Sequence, residues 1–145
     1  MTSYKTLLYE VKNNAARITL NRPEVRNAIN HDMEVEFKNA LLRGNDDDEA
    51  GMIIVTGAPP AFCSGIDLRV HHKRTPIETR AHFESFYWGF HKTHRSLDKP
   101  TLAVLNAIPM YYLDGQHIFR SFLFMLMLRR RFRRRGHYTT LIYKD

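Results

Sequence analysis

Apolar positions along the chain change period several times. Residues 6–12 and 15–20 read as two short strands, with Leu8, Val11, Ile18 and Leu20 as apolar positions and Lys12-Asn13-Asn14 as the turn between them. A helical spacing follows at Met33, Phe37, Ala40 and Leu41. Asn30 is a suitable N-cap for that helix, Asp32 and Glu34 place negative charge in its first turn, and Gly44 is the expected stop. Asp46-Asp47-Asp48-Glu49 reads as a solvated loop. The β-branched run 52–56 suits a buried strand, and a loop is expected from Gly57 to about Lys73. Thr75, Pro76 and Glu78 then form the signature of a capping box with proline at the first helical position. Phe83, Phe86, Tyr87, Phe90 and His94 share one face of that helix, the pattern of a core stripe. Lys99-Pro100 breaks the pattern before another buried-strand run at 101–105. Strand, strand, helix, strand, loop, helix, strand is an α/β order, and by itself it names no reaction.

Composition narrows the classes. The 145 residues are 43% hydrophobic and 26% charged, close to globular norms. The net charge of +7 is unevenly placed. Residues 1–113 hold 14 Lys/Arg against 13 Asp/Glu, a balance of +1, whereas residues 114–145 hold 8 against 2, a balance of +6. The basic character therefore belongs to the last segment. A single cysteine, Cys63, excludes an internal disulfide framework and fits a reducing, cytoplasmic setting. The first ten residues carry no signal-peptide pattern. His71-His72, His91 and His94 have no matching carboxylate and cysteine set, so no metal site is expected.

The stretch with most chemical content is Pro60-Ala61-Phe62-Cys63-Ser64-Gly65-Ile66-Asp67-Leu68. It follows a buried strand, and Gly65 allows a tight turn in which backbone N–H groups face a ligand. N–H groups fixed in this way can stabilise an oxyanion. Alone, the pattern is weak and fits a plain surface turn better.

Three blocks together carry a resemblance. Ile18-Thr19-Leu20-Asn21-Arg22-Pro23-Glu24-Val25-Arg26-Asn27-Ala28-Ile29 resembles the opening block of the enoyl-CoA hydratase/isomerase (crotonase) family. Phe62-Cys63-Ser64-Gly65-Ile66-Asp67-Leu68 resembles its first oxyanion-hole loop, and Lys99-Pro100-Thr101-Leu102-Ala103-Val104-Leu105-Asn106-Ala107 resembles the strand leading to its second. The resemblance covers residues 4–110 and implies a crotonase-like α/β fold of repeated ββα units, incomplete at the C-terminus. It implies an acyl-CoA thioester as ligand, with coenzyme A as part of the substrate and no separate cofactor. The backbone N–H of Ile66 would be one of two donors to the thioester carbonyl, and Gly65 would set its turn. Ser64, Asp67, Leu68 and Arg69 would border the substrate. Asp67 is also the residue expected to order the loop, and Arg69 can either meet the nucleotide end of CoA or stand exposed. Cys63 fills a small-residue position and is not expected to be a nucleophile.

The resemblance then stops. Where the family has a glycine-rich turn that donates the second N–H, this chain reads Ile108-Pro109-Met110-Tyr111-Tyr112-Leu113-Asp114-Gly115. With one residue missing, Leu113-Asp114 matches a leucine–acid pair of some members, which makes Asp114 a catalytic candidate. No glutamate occurs after Glu84, so the two-glutamate apparatus of a hydratase is not expected. Residues 118–128 are apolar except for Arg120 and Ser121, and too few to span a bilayer. Arg129-Arg130-Arg131-Phe132-Arg133-Arg134-Arg135 follows, and it forms no recognised nucleic-acid module. The expected organisation is a partial domain over 1–113 and an out-of-family basic tail over 114–145, of the kind a frameshift or altered splice produces. Homo-oligomers implied by the family would be impaired, and nucleic-acid or membrane contact by the tail is not expected. Three functions stand open: a CoA-ester lyase or isomerase, a non-catalytic remnant that binds CoA esters, and a basic interaction protein.

Overall fold

Asn13 and Asn14 take left-handed backbone angles, φ 52° and 60°, and close a two-residue hairpin between β1 (Leu7–Lys12) and β2 (Ala15–Leu20). Two consecutive positive φ values give a turn whose twist matches that of the strands, and asparagine tolerates them. The register runs from Leu7 opposite Leu20 to Lys12 opposite Ala15. The computed structural model describes residues 3–72, 74–105 and 139–143. After the hairpin come a single 3-10 turn (Pro23–Val25), α1 (His31–Asp46), β3 (Met52–Gly57), α2 (Leu68–His71), α3 (Pro76–Ser96), β4 (Thr101–Leu105) and β5 (Thr139–Tyr143).

The strands form one sheet in the order β1-β2-β3-β4-β5, antiparallel at β1/β2 and parallel elsewhere. Along β3, Ile53 and Val55 are buried while Met52, Ile54 and Thr56 are half-buried, so one face carries the core. That core joins Ile18, Leu20, Ile53, Val55 and Leu105 of the sheet to Met33, Phe37 and Leu41 of α1. Each such side chain contributes about 1.5–3 kcal/mol by leaving water.

Both helix starts expected from sequence are present. Asn30 Oδ1 accepts from the Met33 N–H at 3.0 Å. Thr75 and Glu78 form the reciprocal capping box, with Thr75 N–H on Glu78 Oε2 at 2.8 Å and Glu78 N–H on Thr75 Oγ1 at 3.3 Å. Gly44 does not end its helix, which continues to Asp46. A Cβ at Gly44 would lie 3.1 Å from Ala16 Cβ and 3.3 Å from Ile53 Cγ1, so this glycine lets α1 approach the sheet. The acidic run is likewise more than a solvated loop. Asp46 completes the helix, Asp47 Oδ1 accepts from the Glu49 N–H at 3.0 Å, and Lys99 Nζ bonds the carbonyls of Gly44 and Asp47.

Long-range polar ties fix α1 against the strands. Glu36 accepts from Lys5 N–H, Thr6 N–H and the Thr6 hydroxyl at 2.6–2.8 Å, which joins α1 to the start of β1. Asn45 Oδ1 accepts from Asp98 N–H at 2.7 Å and Lys99 N–H at 3.2 Å, which joins its other end to the turn before β4. The strand β5 arises in a stretch for which the sequence pattern predicts no element. The side chains of Phe83, Phe86, Tyr87 and Phe90, expected as a core stripe, lie outside the described residues, whereas His94 is buried. Among the described residues no helix is long and apolar enough to cross a membrane.

Candidate functional site

The loop that leaves β3 is held by the segment that leaves β2. Arg26 and Asn27 adopt φ 53° and 57°, a left-handed pair that turns the chain back beneath the loop. The Asn27 side chain is fully buried and its amide bridges the two segments. Its Oδ1 accepts from Arg22 N–H at 2.8 Å, and its Nδ2 donates to Ala58 O at 2.8 Å and Ala61 O at 2.6 Å. All three partners are main-chain groups, and the bond to Ala61 O is buried while the other two are half-buried. Ser64 is seated the same way, its N–H on Arg26 O at 3.0 Å and its hydroxyl on Val25 O at 3.2 Å. At the root of the loop, a Cβ on Gly57 would come within 2.3 Å of Phe62 O, so the strand end admits no side chain.

Gly65 stands at φ 98°, and a Cβ there would meet nothing within 4 Å. The turn therefore requires glycine for its backbone angle, since a side chain at this φ is strained even though nothing crowds it. The next residue forms an isolated parallel bridge, Ile66 with Ile29. Ile29 N–H donates to Gly65 O at 2.8 Å, and Asp67 N–H donates to Ile29 O at 2.9 Å. Parallel pairing of this kind uses the groups on either side of Ile66, so its own N–H and carbonyl face away from Ile29. Among the described residues the Ile66 N–H has no acceptor. A donor fixed on a rigid turn and left open can hydrogen-bond a ligand oxygen.

Asp67 is 4% exposed and is the polar centre of the loop. Arg69 approaches it through Nε and NH2, both at 3.0 Å, and Arg22 through NH2 at 3.1 Å. The Arg69 hydrogen bonds chiefly, and then those from Arg22, hold its carboxyl at about 2 against the opposing effect of burial. Its Oδ1 also accepts from Arg69 N–H at 3.3 Å and caps the short α2. Both Asp67 and Arg69 are thus engaged with each other. Leu68 is 72% exposed beside them. Burial pushes the Cys63 thiol up to about 11, which keeps it protonated at neutral pH, and its Sγ accepts from Gly65 N–H at 3.4 Å.

A second titratable group lies at the α1/α3 junction. Glu34 Oε1 is 2.9 Å from His82 Nε2, and its Oε2 is 3.5 Å from His31 Nδ1. Burial raises the Glu34 carboxyl above its ordinary range. Among the described residues no group of three or more His, Cys, Asp or Glu is arranged to hold a metal ion.

Ser64, Gly65, Ile66 and Asp67 lie on the loop, and Leu68 and Arg69 begin α2 directly after it, a short helix within the stretch expected to be loop. Asp114 lies outside the described residues. Arg22 and Asn27 organise the loop but are not singled out by sequence reasoning. Their signal was available only as part of the Arg22–Asn27 block, because every partner is a main-chain group or a residue far along the chain.

The family profile for enoyl-CoA hydratase/isomerase matches residues 10–109. A probable enoyl-CoA hydratase, EchA14, from Mycobacterium tuberculosis is 32% identical over 107 residues, 74% of this chain and 41% of that protein. The small ribosomal subunit protein mS47 of Schizosaccharomyces pombe is 37% identical over 114 residues, 75% of this chain and 26% of that one. The crystal structure of an enoyl-CoA hydratase/isomerase from Xanthobacter autotrophicus Py2 superposes with a TM-score of 0.65 at 31% identity, covering 71% of this chain and 39% of that one. The chain spans about two fifths of the length of EchA14. With the matched residues running through the hairpin, α1, the glycine loop and β4, the chain belongs to the enoyl-CoA hydratase/isomerase (crotonase) family and carries a partial, N-terminal portion of that domain.

Proposed function

We propose that this chain binds acyl-CoA thioesters, with the open N–H of Ile66 as a donor to the thioester carbonyl. The observation that carries the reading is the pairing at Ile29, which fixes Ile66 while turning its N–H away from Ile29 and leaving it with no acceptor among the described residues. A carbonyl oxygen gains negative charge when the α-carbon is deprotonated or the β-carbon is attacked. A pre-aimed N–H stabilises that charge with no reorganisation. Gly65 sets the turn, Ser64 and Leu68 border the ligand, and Asp67 keeps the loop in shape. Arg69 supplies positive charge near the phosphates of CoA, in balance with its bond to Asp67. The substrate brings its own CoA, so no separate cofactor is part of the proposal. Asp114 remains the candidate acid or base, and a reducing cytoplasmic compartment is the proposed setting.

One donor is half an oxyanion hole. Loss of a single donor costs about a hundred- to a thousandfold in rate, so turnover by this chain is expected to be very low. Calorimetric titration of the full chain with a saturated short-chain acyl-CoA and with free CoA tests the binding step, the thioester being expected to bind more tightly. Hydration of a short enoyl-CoA tests turnover. Equal affinity for thioester and free CoA would remove the role of Ile66, and a rate within tenfold of an intact hydratase would show a complete site.

A second reading, a family member that binds without converting, is favoured by the likeness to mS47, a protein named for a ribosomal subunit. The same two measurements separate them: thioester binding without hydration supports the non-catalytic reading.

A further inference from the structure

We infer that Arg22 is a positioning residue for the Ile66 N–H, acting as a cross-link over the Ile29–Ile66 bridge. The inference rests on the reading of Ile66 as the carbonyl donor. Among the described residues, the bridge that pairs Ile66 with Ile29 consists of two hydrogen bonds, Ile29 N–H to Gly65 O and Asp67 N–H to Ile29 O. An isolated bridge lacks the neighbouring rungs that make a strand stiff. Arg22 provides the missing rung with its side chain. NH1 donates to Ala28 O at 2.6 Å, the residue just before Ile29. NH2 donates to Asp67 Oδ2 at 3.1 Å, the residue just after Ile66. One planar group thus spans the two segments beside the bridge.

The guanidinium suits this task. It is planar and permanently charged, so both bonds lie in one plane and their directions are fixed together. Arg22 is only 15% exposed, which shields the bonds from competition with water. Its own backbone is held as well, since its N–H donates to the buried Asn27 Oδ1 at 2.8 Å. The Glu24 carboxylate, 3.9 Å from Nε, adds an attraction on the solvent side. Arg69 also binds Asp67, but from two residues away on the same loop, and it is 67% exposed. Arg69 can neutralise the buried carboxylate without tying the loop to anything else. Arg22 reaches across 45 residues of sequence. Removing it leaves Asp67 paired and the loop chemically intact, but frees the plane of the Ile66 peptide relative to Ile29.

A hydrogen bond weakens steeply when its angle opens. Arg22 should therefore show in the strength of the Ile66 bond to a carbonyl more than in affinity for CoA as a whole. The experiment uses the full chain, a butyryl-CoA labelled with carbon-13 at the carbonyl, and difference infrared spectroscopy of the bound thioester. A donated hydrogen bond lowers the carbonyl stretch. Arg22→Lys keeps the charge and loses the fork. It is expected to lose at least half of that lowering and to bind the thioester about fivefold more weakly, the worth of one ordinary hydrogen bond. Free CoA, which has no thioester carbonyl, should bind unchanged. In Arg22→Ala, millimolar guanidinium should restore part of the lowering. Glu36→Ala is the control, because it unties β1 from α1 and removes no bond of Arg22, Ile29 or Asp67.

An Arg22→Lys chain with the full frequency shift and full thioester affinity overturns the inference. So does an equal loss in Glu36→Ala, which would mean general loosening. Failure of both Arg22 variants to fold while Glu36→Ala folds also overturns it, in favour of a purely structural arginine. If the unaltered chain shows no carbonyl shift at all, the acyl-CoA reading fails instead. The nitrogen-15 resonance of the Ile66 amide in the free protein then decides about Arg22, with broadening or displacement in Arg22→Lys expected and an unchanged signal contrary to it.

Discussion

Asp67 and Glu34 are both nearly buried carboxylates, 4% and 10% exposed, yet their surroundings push them in opposite directions. Asp67 sits between two guanidiniums and is held at about 2. Glu34 faces imidazoles, His82 at 2.9 Å and His31 at 3.5 Å, with Arg74 acting only from a distance, and it is raised by burial. Burial alone disfavours a charged carboxyl, and what reverses it is a partner whose own charge is permanent. The glycine loop hydrogen-bonds two such partners directly, whereas the groups within 4 Å of Glu34 among the described residues are the two histidines. The loop that carries the Ile66 donor is therefore electrostatically settled at any ordinary pH, while the junction is open to titration.

The largest effect should come from the residue that satisfies most of the loop's buried backbone. Asn27→Ala would leave Arg22 N–H, Ala58 O and Ala61 O without their partner and would lose a side chain suited to φ 57°. Each orphaned group costs about 1–3 kcal/mol, so a loss of at least about 3 kcal/mol is expected in urea denaturation. A loss below 1 kcal/mol would mean that the loop is held by something other than Asn27. Asp67→Asn comes next, at about 2 kcal/mol, because the carboxylate's charge is lost and an amide NH2 then faces an arginine donor in place of an acceptor oxygen. Its pH dependence sharpens the contrast with Glu34. The folded-state pKa of Asp67 lies below its ordinary 3.8, so its stabilisation is present above that pH and is lost as pH falls through about 2. The stability difference between the unaltered chain and Asp67→Asn should accordingly be flat from pH 5 to 8 and shrink only in acid.

Gly65→Ala should be milder for stability, about 1 kcal/mol, since φ 98° disfavours a side chain but nothing crowds the Cβ. Thioester affinity should fall with it while the rest of the fold keeps its amide protection, as hydrogen exchange would show. Glu34→Gln should be smallest and opposite in sign. A carboxyl raised above 4.5 in the folded state loses stability as pH rises from 4.5 through the raised value. At pH 8, above the raised Glu34 value, the glutamine variant should match or exceed the unaltered chain, by up to about 1 kcal/mol. Destabilisation of more than 1 kcal/mol at that pH would erase the difference between the two carboxylates.

Local codes were legible in the amino-acid sequence. The Asn13–Asn14 turn, the Asn30 cap, the Thr75–Glu78 box and the strands at 15–20 and 101–105 depend on residues a few positions apart, so their physics is complete within a short window. The glycine loop was legible as a pattern, and with it the family. What Gly44 does was not: its role is set by Ala16 and Ile53, which meet it only when α1 lies on the sheet. The same holds for Glu36 on Thr6, Asn45 on Asp98, Asn27 on Ala61 and Arg22 on Asp67, pairs separated by 30, 53, 34 and 45 residues. Nor does any spacing rule place β5 beside β4. A side chain's type and its near neighbours decide caps, turns and period. Which distant main-chain group it must satisfy, and whether a glycine serves conformation or contact, is decided only when the packed sheet and helices bring those groups within hydrogen-bond reach.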